Sequence, residues 1–385
     1  MAGLYLHIPF CSKACHYCNF HFSTSIHRKE AFLRALEKEI ANPYRPGNMA
    51  MDRNIDTVYF GGGTPSLLTM GEMHKVLKIL NRNFDISPNA EITLEANPDD
   101  ISRKRLNEWR TLGINRLSIG VQSFVDADLQ WMNRAHNASH AIQCIQQAQD
   151  AEFTNLTIDL IYGLPGMTTQ HWEKNVLQAI ELQVPHLSCY ALTVEEKTAL
   201  HHFIKKGKVP PLQDALQAEH FVLLMQLLHA NGFEHYEISN FAKPGMRSRH
   251  NSSYWQGKPY YGFGPSAHSF DGNHTRWWNI PNNTIYIERT MAGKKPVDSE
   301  ILSPVQRMNE TIMTLLRTQE GLQIDQQLGR IETYMYPAAQ WPQAATQLKE
   351  YIDNRWIAIQ GNTIQLTPTG KLYADHIAAS LFATE

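Results

Sequence analysis

Three cysteines lie within eight residues near the start of the chain, at Cys11, Cys15 and Cys18. Their spacing is C-x3-C-x2-C, and they follow the first predicted strand directly. Thiolates are soft ligands of the kind that iron–sulfur clusters require. A 4Fe–4S cluster held by only three cysteines keeps one iron open for a small molecule. The triplet therefore predicts such a cluster with one exchangeable position.

S-adenosylmethionine (SAM) suits this open iron, because its amino and carboxylate groups can chelate the metal. An electron from the cluster can then cleave the C–S bond of SAM and release a 5′-deoxyadenosyl radical. The triplet alone leaves three other interpretations open: a zinc site completed by His7, His16 or His21, a redox-active C-x-x-C pair, or unrelated buried thiols. Cys144 and Cys189 stand in apolar surroundings and are predicted to be buried structural cysteines.

Further polar residues follow the predicted strands at their carboxyl ends, where parallel α/β folds bind ligands. The second strand ends in F-G-G-G-T-P-S, whose glycines let the backbone approach a ligand closely. Glu95 closes the third strand, Gln122 follows the fourth, and Arg134 comes twelve residues later. Asp159 stands inside an apolar strand, where a carboxylate needs partners. These side chains can bind the amino group or ribose of SAM, or they can be structural, with Asp159 paired to Arg116 or Arg134.

The elements that position these residues alternate between strands and helices through the first two-thirds of the chain. Residues 32, 36 and 40 share one helical face, and T-M-G-E at Thr69 is typical of a capping box. Repeated βα units favour a parallel sheet, open or curved into a barrel. The six predicted strands are Leu4–Ile8, Thr57–Phe60, Glu91–Ala96, Arg116–Gly120, Leu156–Ile161 and His186–Ala191.

The last third of the chain has a different character. Helices are predicted at 215–231 and 304–317, and residues 239–285 show little regular period. The tail ends in a hairpin that turns at Gln360–Asn362. Helices followed by a hairpin resemble a winged-helix unit, but the tail is not basic, so we predict no binding of nucleic acid.

Composition narrows the class of protein further. The 385 residues carry a net charge of −2 and five cysteines, and no apolar run reaches the length of a membrane span. We see no signal peptide at the start of the sequence. An odd cysteine count with a clustered triplet argues against a disulfide scaffold. We therefore expect a protein of the reducing cytoplasm without transmembrane segments.

Several ordered motifs resemble the family of oxygen-independent coproporphyrinogen III oxidase, which includes a heme chaperone branch. They extend over about residues 4–280 and read H-I-P-F-C-x3-C-x-Y-C-x-F, F-G-G-G-T-P-S, L-E-A-N-P, R-L-S-I-G-V-Q-S-F, I-D-L-I-Y-G-L-P, Y-E-I-S-N-F-A and G-F-G-P-S-A-H-S-F. The resemblance implies an α/β fold, with a partial (β/α)6 radical-SAM barrel. A smaller C-terminal α+β domain, helical and winged-helix-like, would follow the barrel. It implies a barrel at 1–235, an irregular connecting region at 236–300 and a C-terminal domain at 301–385.

The resemblance also assigns site residues by position. Cys11, Cys15 and Cys18 would hold the cluster. Arg134 is predicted to grip the carboxylate of SAM with two hydrogen bonds. The positions implied for SAM contacts are Tyr5, Tyr17, Gly62, Gly63, Thr64, Glu95, Gln122, Arg134, Asp159 and Ala191.

Three features separate the two branches of this family. The oxidase branch has a fourth cysteine where this chain has Phe20, and an N-terminal extension where this sequence shows only a few residues. The motif R-H-N-S-S-Y-W at 249–255 resembles the H-N-x-x-Y-W motif of the chaperone branch, which implies a heme-binding role for His250. An ordinary loop histidine is the alternative for that residue.

These features predict a heme chaperone that passes heme to an acceptor protein. The alternative is an oxidase that decarboxylates coproporphyrinogen III to protoporphyrinogen IX by radical chemistry. Whether the protein is an enzyme stays open. The expected partners are heme or a porphyrin, an unidentified heme acceptor, and an electron donor such as a flavodoxin or ferredoxin.

Overall fold

Six parallel strands form the centre of the structure, a computed structural model that describes residues 1–48, 50–295 and 297–384. Neighbours in the chain are neighbours in the sheet, and every pair is parallel. All six predicted strands are confirmed, most of them one to six residues longer than the apolar runs indicated. The strands are β1 (Ala2–Ile8), β2 (Asn54–Gly62), β3 (Asp85–Ala96), β4 (Arg116–Gln122), β5 (Leu156–Tyr162) and β6 (His186–Ala191).

Helices cover the outside of these strands and close the hydrophobic core. Phe32, Leu36 and Ile40 are fully buried on one face of the first helix, as their spacing predicted. Thr69 caps the second helix in a reciprocal capping box with Glu72. The helices are α1 (Lys29–Ala41), α2 (Met70–Asn83), α3 (Arg103–Thr111), α4 (Asp126–Trp131), α5 (Ala138–Asp150), α6 (Thr169–Glu181) and α7 (Ala199–Lys205).

Both edges of the parallel array are extended by shorter strands, which gives a sheet of twelve strands in the part of the chain that the structure describes. Beyond β6 lie two antiparallel strands. Beyond β1 lies one parallel strand, followed by three antiparallel ones. These elements are α8 (Asp214–Ala230), β7 (Glu234–Glu237), β8 (Asn240–Ala242), α9 (Arg249–Trp255), β9 (Tyr260–Phe263), β10 (His268–Phe270), β11 (Thr275–Asn279), α10 (Asn283–Met291) and β12 (Val297–Ile301).

We predicted little regular structure for residues 239–285. This range instead contains four strands of the main sheet, the helix α9 and the start of α10 among the described residues. Each strand in this range has only three to five residues. Such runs are too short to carry a periodic signal, and they form because β1 and β6 offer edges of the parallel array to pair with.

The C-terminal part of the chain packs around a core of its own, built from residues such as Met308, Ile312 and Leu348. The elements are α11 (Pro304–Leu316), β13 (Leu322–Asp325), β14 (Arg330–Ile331), β15 (Tyr334–Met335), α12 (Trp341–Asp353), β16 (Ile357–Gln360), β17 (Thr363–Leu366) and α13 (Ala374–Ser380). The five strands form one sheet in the order β15-β14-β13-β17-β16. The predicted hairpin is confirmed as β16 and β17, and it turns at Gly361–Asn362.

Contacts join the C-terminal part to the main sheet near the end of α11. Gln319 donates its backbone N–H to the carbonyl of Tyr236, with N and O 2.9 Å apart. The Arg317 guanidinium lies 5.5 Å from the centre of the Trp255 ring. The domain boundaries near residues 235 and 300 stay predictions. Among the helices that the structure describes, none is long and apolar enough to cross a membrane.

Candidate functional site

The three clustered cysteines lie on the loop between β1 and α1. All three are free and half-buried. Backbone hydrogen bonds hold the loop at both ends, from Cys11 N–H to the Ser23 carbonyl (3.0 Å) and from His16 N–H to the Met132 carbonyl (3.2 Å). Burial and the neighbouring thiols raise the pKa of Cys18 to about 11. Within the described residues, no group of three His, Cys, Asp or Glu side chains is arranged to hold a single metal ion.

Two donors reach the cysteine sulfurs from other loops. The Thr64 hydroxyl donates to Cys11 Sγ at 3.4 Å, and the Arg134 guanidinium donates to Cys15 Sγ at 3.2 Å. Hydrogen bonds of this kind stabilise thiolates and tune the potential of the clusters they hold. The hydroxyl of Tyr17 also lies beside Cys15 and Arg134. The predicted residues Tyr17, Thr64 and Arg134 are therefore brought together around the cysteine loop.

Asn97 links these two donors, and sequence reasoning missed it. Its amide donates to the Thr64 hydroxyl at 3.2 Å, and its side-chain oxygen accepts from Arg134 at 2.7 Å. Arg134 also donates to the Gly120 carbonyl at 2.6 Å, while its Nε is buried without a partner among the described residues. The sequence did hold one indication that Asn97 belongs to the site, because Asn97 follows directly after the end of the strand that carries Glu95.

The glycine loop after β2 packs directly against the cysteine loop. Gly63 donates its N–H to the Ile8 carbonyl at 2.9 Å, and Thr64 donates its N–H to the Phe10 carbonyl at 2.7 Å. A Cβ on Gly63 would lie 2.7 Å from the Phe10 oxygen, closer than real contacts allow. Gly62 has a φ of 106°, which only glycine adopts readily. The glycines are thus required for the close approach of the two loops.

Glu95 is held where the third strand ends. Its carboxylate accepts hydrogen bonds from the Tyr59 hydroxyl at 2.8 Å and from the Gly62 N–H at 3.2 Å. Burial, together with the negative charge of Asp159, raises the pKa of Glu95 to about 7. Tyr59, a second residue that sequence reasoning missed, therefore fixes the carboxylate beside the glycine loop.

Asp159 and Gln122 complete the row of strand-end residues. Burial raises the pKa of Asp159 to about 6, against the opposing effects of a hydrogen bond from Ser188 and the charges of Arg116 and Arg134. In the described part of the chain no salt bridge joins Asp159 to either arginine. Gln122 is buried with a φ of 71°, an uncommon conformation for a residue with a side chain. Backbone strain of this kind clusters at ligand sites.

The remaining predicted SAM contacts lie at the rim of the same region. Tyr5 is half-buried, and its hydroxyl is 3.1 Å from His7 Nδ1. Ala191 is the last residue of β6 and pairs with Tyr162 at the carboxyl end of β5. Beneath this rim, the guanidinium of Arg116 is fully buried, and its Nε and one terminal nitrogen have no partner within the described residues.

His250 is buried next to the cavity, with hydroxyl groups beside both of its ring nitrogens. It is 1% exposed, and its ring stacks on Tyr59 with 5.0 Å between centroids. Nδ1 is 2.7 Å from the Thr57 hydroxyl, and Nε2 is 2.8 Å from the Tyr254 hydroxyl. Both ring nitrogens are therefore engaged by hydroxyl groups in this arrangement. The heme-binding role that the motif implied for His250 stays a prediction.

An open cavity of about 700 Å³ lies beside the cysteine loop. Its volume is in the range of cofactor sites. One wall comes from the cysteine loop and β1, the second from α9 to β11, and the third from α11. The lining includes aromatic and apolar side chains, three histidines, and two arginines with one glutamate: Tyr5, Phe20, Trp255, Phe270 and Met313; His7, His21 and His268; Arg276, Arg307 and Glu310.

Two family models match the chain. The radical SAM superfamily model covers residues 5–178, and the HemN C-terminal domain model covers residues 302–373. The first match includes the cysteine loop, the glycine loop and the strand-end residues. The fold and the site therefore define a radical SAM protein.

Sequence relatives narrow this class to one family. The heme chaperone HemW of Bacillus subtilis (strain 168) is 33% identical over 98% of this chain and 98% of its own length. The heme chaperone HemW of Mycobacterium tuberculosis (strain ATCC 25618 / H37Rv) is 33% identical over 98% of this chain and 94% of its own length. The chain belongs to the HemW family.

A solved structure shares the fold. Coproporphyrinogen III oxidase (HemN) from Escherichia coli, described as a radical SAM enzyme, aligns with a TM-score of 0.83 over 99% of this chain and 90% of that chain, at 24% identity. This likeness confirms the predicted fold class, a radical-SAM barrel with a C-terminal α+β domain.

Membership of the superfamily implies a 4Fe–4S cluster and SAM. The residues present fit both groups. Three soft thiolate donors share one loop, and Thr64 and Arg134 donate hydrogen bonds to two of them. The Nε of Arg134 is a buried donor without a partner among the described residues. The strand-end carboxylates Glu95 and Asp159 offer acceptors for an ammonium or ribose hydroxyls.

Proposed function

We propose that this protein is a heme chaperone, which binds heme and transfers it to an acceptor hemoprotein. One observation carries this proposal: a cavity of about 700 Å³ opens next to the cysteine loop, with aromatic walls, imidazoles and two arginines. A porphyrin needs a large apolar surface, a metal ligand and cations for its propionates. The names of the full-length relatives, which are heme chaperones, support the same function.

We infer that Cys11, Cys15 and Cys18 hold the cluster and that SAM binds at the strand ends that carry Glu95, Gln122 and Asp159. When bound, the cluster supplies an electron that can cleave SAM. Gly62, Gly63 and Thr64 would present backbone groups to the methionine portion of SAM. Arg134 would use its remaining donors on the SAM carboxylate, because Asn97, Gly120 and Cys15 already accept its other hydrogen bonds.

The proposed chemistry requires two protein partners, an electron donor and a heme acceptor. A one-electron donor, such as a flavodoxin or ferredoxin, would reduce the cluster, and an unidentified apo-hemoprotein would accept the heme. Free half-buried thiols on an open loop favour the reducing cytoplasm as the location. The near-neutral net charge of −2 supports no role in nucleic-acid binding. We keep the division at about residues 235 and 300 as a proposed domain organisation.

A second candidate function is the oxidative decarboxylation of coproporphyrinogen III. The similarity of fold to HemN favours it, and so does the match of residues 5–178 to the radical SAM superfamily. Phe20, which is 68% exposed at the position where the oxidase branch is expected to carry a cysteine, argues against it.

One experiment separates the two functions. The cluster is reconstituted without oxygen, and the protein receives reductant, SAM and either heme or coproporphyrinogen III. Stable heme binding, with no decarboxylated porphyrin detected by mass spectrometry, is the expected result. Formation of protoporphyrinogen or a tricarboxylate intermediate together with 5′-deoxyadenosine would establish the oxidase instead.

A further inference from the structure

Four histidines lie in or near the cavity, and they differ in which ring nitrogens are free to bind iron. His250 has both nitrogens engaged, by Thr57 and Tyr254. His7 also has both engaged, since Nδ1 is 3.1 Å from the Tyr5 hydroxyl and Nε2 is 2.8 Å from the His21 carbonyl. His21 uses Nε2 for a contact of 2.7 Å with Asn283 Oδ1. His268 has no hydrogen bond to another side chain among the described residues, so it is, with His21, one of the two imidazoles here that leave a ring nitrogen available.

His268 is also the most accessible of these four side chains. It begins β10, is exposed, and lines the cavity. Its ring stacks on Trp278 of the neighbouring strand with 6.0 Å between centroids and 25° between planes. A contact with the Ser266 backbone is available to one ring nitrogen. A metal-binding histidine commonly donates its second ring N–H to a carbonyl in this way.

The backbone beneath His268 is tightly fixed. Gly262 of β9 faces it so closely that a Cβ at Gly262 would overlap the His268 carbonyl oxygen. The Gly262 N–H donates to the Ser269 hydroxyl at 2.9 Å. Partial desolvation and the charge of Arg276 lower the pKa of His268. The imidazole is therefore held on a rigid hairpin in the neutral form that binds iron.

Two cationic groups line the cavity, one on the wall that carries His268 and one on the α11 wall. Arg276 of β11 and Arg307 of α11 both line it, and both contact Glu310. Arg276 also pairs with Glu300, which does not line the cavity. Arg307 lies 4.7 Å above the Phe270 ring, and its Nε is buried without a partner in the described part of the chain. Glu300 and Glu310 balance these two guanidinium charges, so the carboxylates of a ligand would bind through guanidinium donors that the glutamates leave free, such as Arg307 Nε.

We propose that His268 is the axial ligand of heme iron in this cavity, with the propionates directed to Arg276 and Arg307. This inference rests on the proposed heme-binding function and specifies its site. Phe20 on the cysteine-loop wall, 68% exposed, and Met313 on the α11 wall, 43% exposed, supply apolar surface. His250 does not line the cavity. It contacts Tyr254, which does, so in this proposal His250 shapes the cavity without binding iron.

The test compares single-histidine variants of the full-length, cluster-containing protein. Heme difference spectra and electron paramagnetic resonance report the iron ligand, and titrations give the dissociation constants of heme and of iron-free protoporphyrin IX. His268→Ala is expected to lose the imidazole signature and to weaken heme binding by about tenfold or more. Its affinity for protoporphyrin IX should stay unchanged, because the porphyrin surface is intact. Added imidazole should restore the signature.

Matched variants make the result specific. His274→Ala removes an exposed histidine of the same hairpin, outside the cavity, and should leave both spectrum and affinity unchanged. His250→Ala should alter affinity through Tyr254 yet keep the imidazole signature. If His268→Ala misfolds, His268→Asn with imidazole rescue provides the same readout.

The outcomes distinguish this inference from the proposed function. An unchanged ligand signature in His268→Ala would overturn the assignment, and so would loss of the signature in His250→Ala or His21→Ala alone. In either case the wild-type protein still binds heme. Failure of the wild-type protein to bind heme would instead refute the proposed function.

Discussion

At the residue scale, the three clustered cysteines differ from the other two in their surroundings. Cys11, Cys15 and Cys18 are half-buried on a loop, whereas Cys144 and Cys189 are buried in the core, as predicted. Hydrogen bonds from a hydroxyl and a guanidinium reach the sulfurs of the loop. Burial raises the pKa of Cys11 despite the hydrogen bond from Thr64, and it raises the pKa of the core thiol Cys144 to about 12. The loop thiols therefore differ from the core thiols chiefly in their accessibility.

Cys15→Ser should abolish cluster binding without unfolding the barrel, because the side chain is not part of the core. The measurement is iron and sulfide content after anaerobic reconstitution, together with thermal unfolding. Cys144→Ser is the matched control and should retain a full cluster. An intact cluster in Cys15→Ser would show that the ligand assignment is wrong.

The pKa of Glu95 predicts a pH dependence of stability. In the folded protein it is raised to about 7 from 4.5, so the folded state binds the proton more tightly than the unfolded state. The free energy of unfolding therefore falls as pH rises from about 4.5 to about 7. In SAM-free Glu95→Gln this fall should shrink by about 1–3 kcal/mol.

Chemical denaturation at the two ends of that pH range measures this effect. Glu196→Gln, which changes an exposed loop carboxylate, is the control and should keep the wild-type pH dependence. Equal slopes in wild type and Glu95→Gln would contradict the argument.

Sequence reasoning found the residues whose chemistry is evident from type and position, such as the cysteines, Glu95 and Asp159. It missed Asn97 and Tyr59, because their roles depend on contacts between strands that no local pattern encodes. It assigned iron binding to His250 by motif, whereas the tertiary structure buries that ring with both nitrogens hydrogen-bonded to hydroxyls. Type and spacing indicate chemistry, but the availability of a lone pair depends on packing.

At the scale of elements, the glycine loop after β2 and the cysteine loop after β1 behave as one unit. Backbone hydrogen bonds from Gly63 and Thr64 to residues 8 and 10 hold them together. The loops are adjacent because β1 and β2 pair in parallel along the whole length of β1. The order of the strands therefore places the three cysteines beside the glycine loop independently of any cofactor.

Gly63→Ala should separate these loops, because the added Cβ would lie 2.7 Å from the Phe10 carbonyl oxygen and 2.8 Å from its nitrogen. We expect a loss of stability of about 1–3 kcal/mol and reduced cluster content. Gly71→Ala is the matched control, since no atom of the described residues lies within 4 Å of its Cβ position. That substitution should be neutral or stabilising by up to about 1 kcal/mol. Equal cluster content in both variants would refute the role of the close approach.

The long elements of the barrel could be predicted from the sequence, while the short ones could not. β1 to β6 have six to twelve residues each, and the helices between them carry a 3.6-residue period. β8 and β10 have three residues each, and they exist only because longer strands offer edges. Local pattern is informative when an element is long enough to repeat it.

At the scale of the whole molecule, the cavity requires both hydrophobic cores. Its walls come from the main sheet and from α11, which packs in the C-terminal core. Arg317, at the end of α11, joins the two parts by lying over Trp255 and pairing with Asp375 at 2.9 Å. Movement of the C-terminal part would thus change the shape of the proposed heme site.

Arg317→Ala should lower stability by about 1–2 kcal/mol, because it removes both the cation–π contact and the ion pair. It should also weaken heme binding, since Trp255 lines the cavity. Thermal unfolding and heme titration measure the two effects. Asp375→Asn removes only the exposed ion pair and should cost less than about 0.5 kcal/mol. Similar losses in both variants would show that the Trp255 contact does not matter.

Heme transfer tests the central claim most directly. The cluster-containing protein is loaded with heme, separated from free heme, and mixed under reducing conditions with an apo-form of a b-type hemoprotein. We predict that the acceptor gains stoichiometric heme, seen by its own absorption spectrum, while the donor loses it. Retention of heme by the donor, or failure to load heme at all, would contradict the assignment as a heme chaperone.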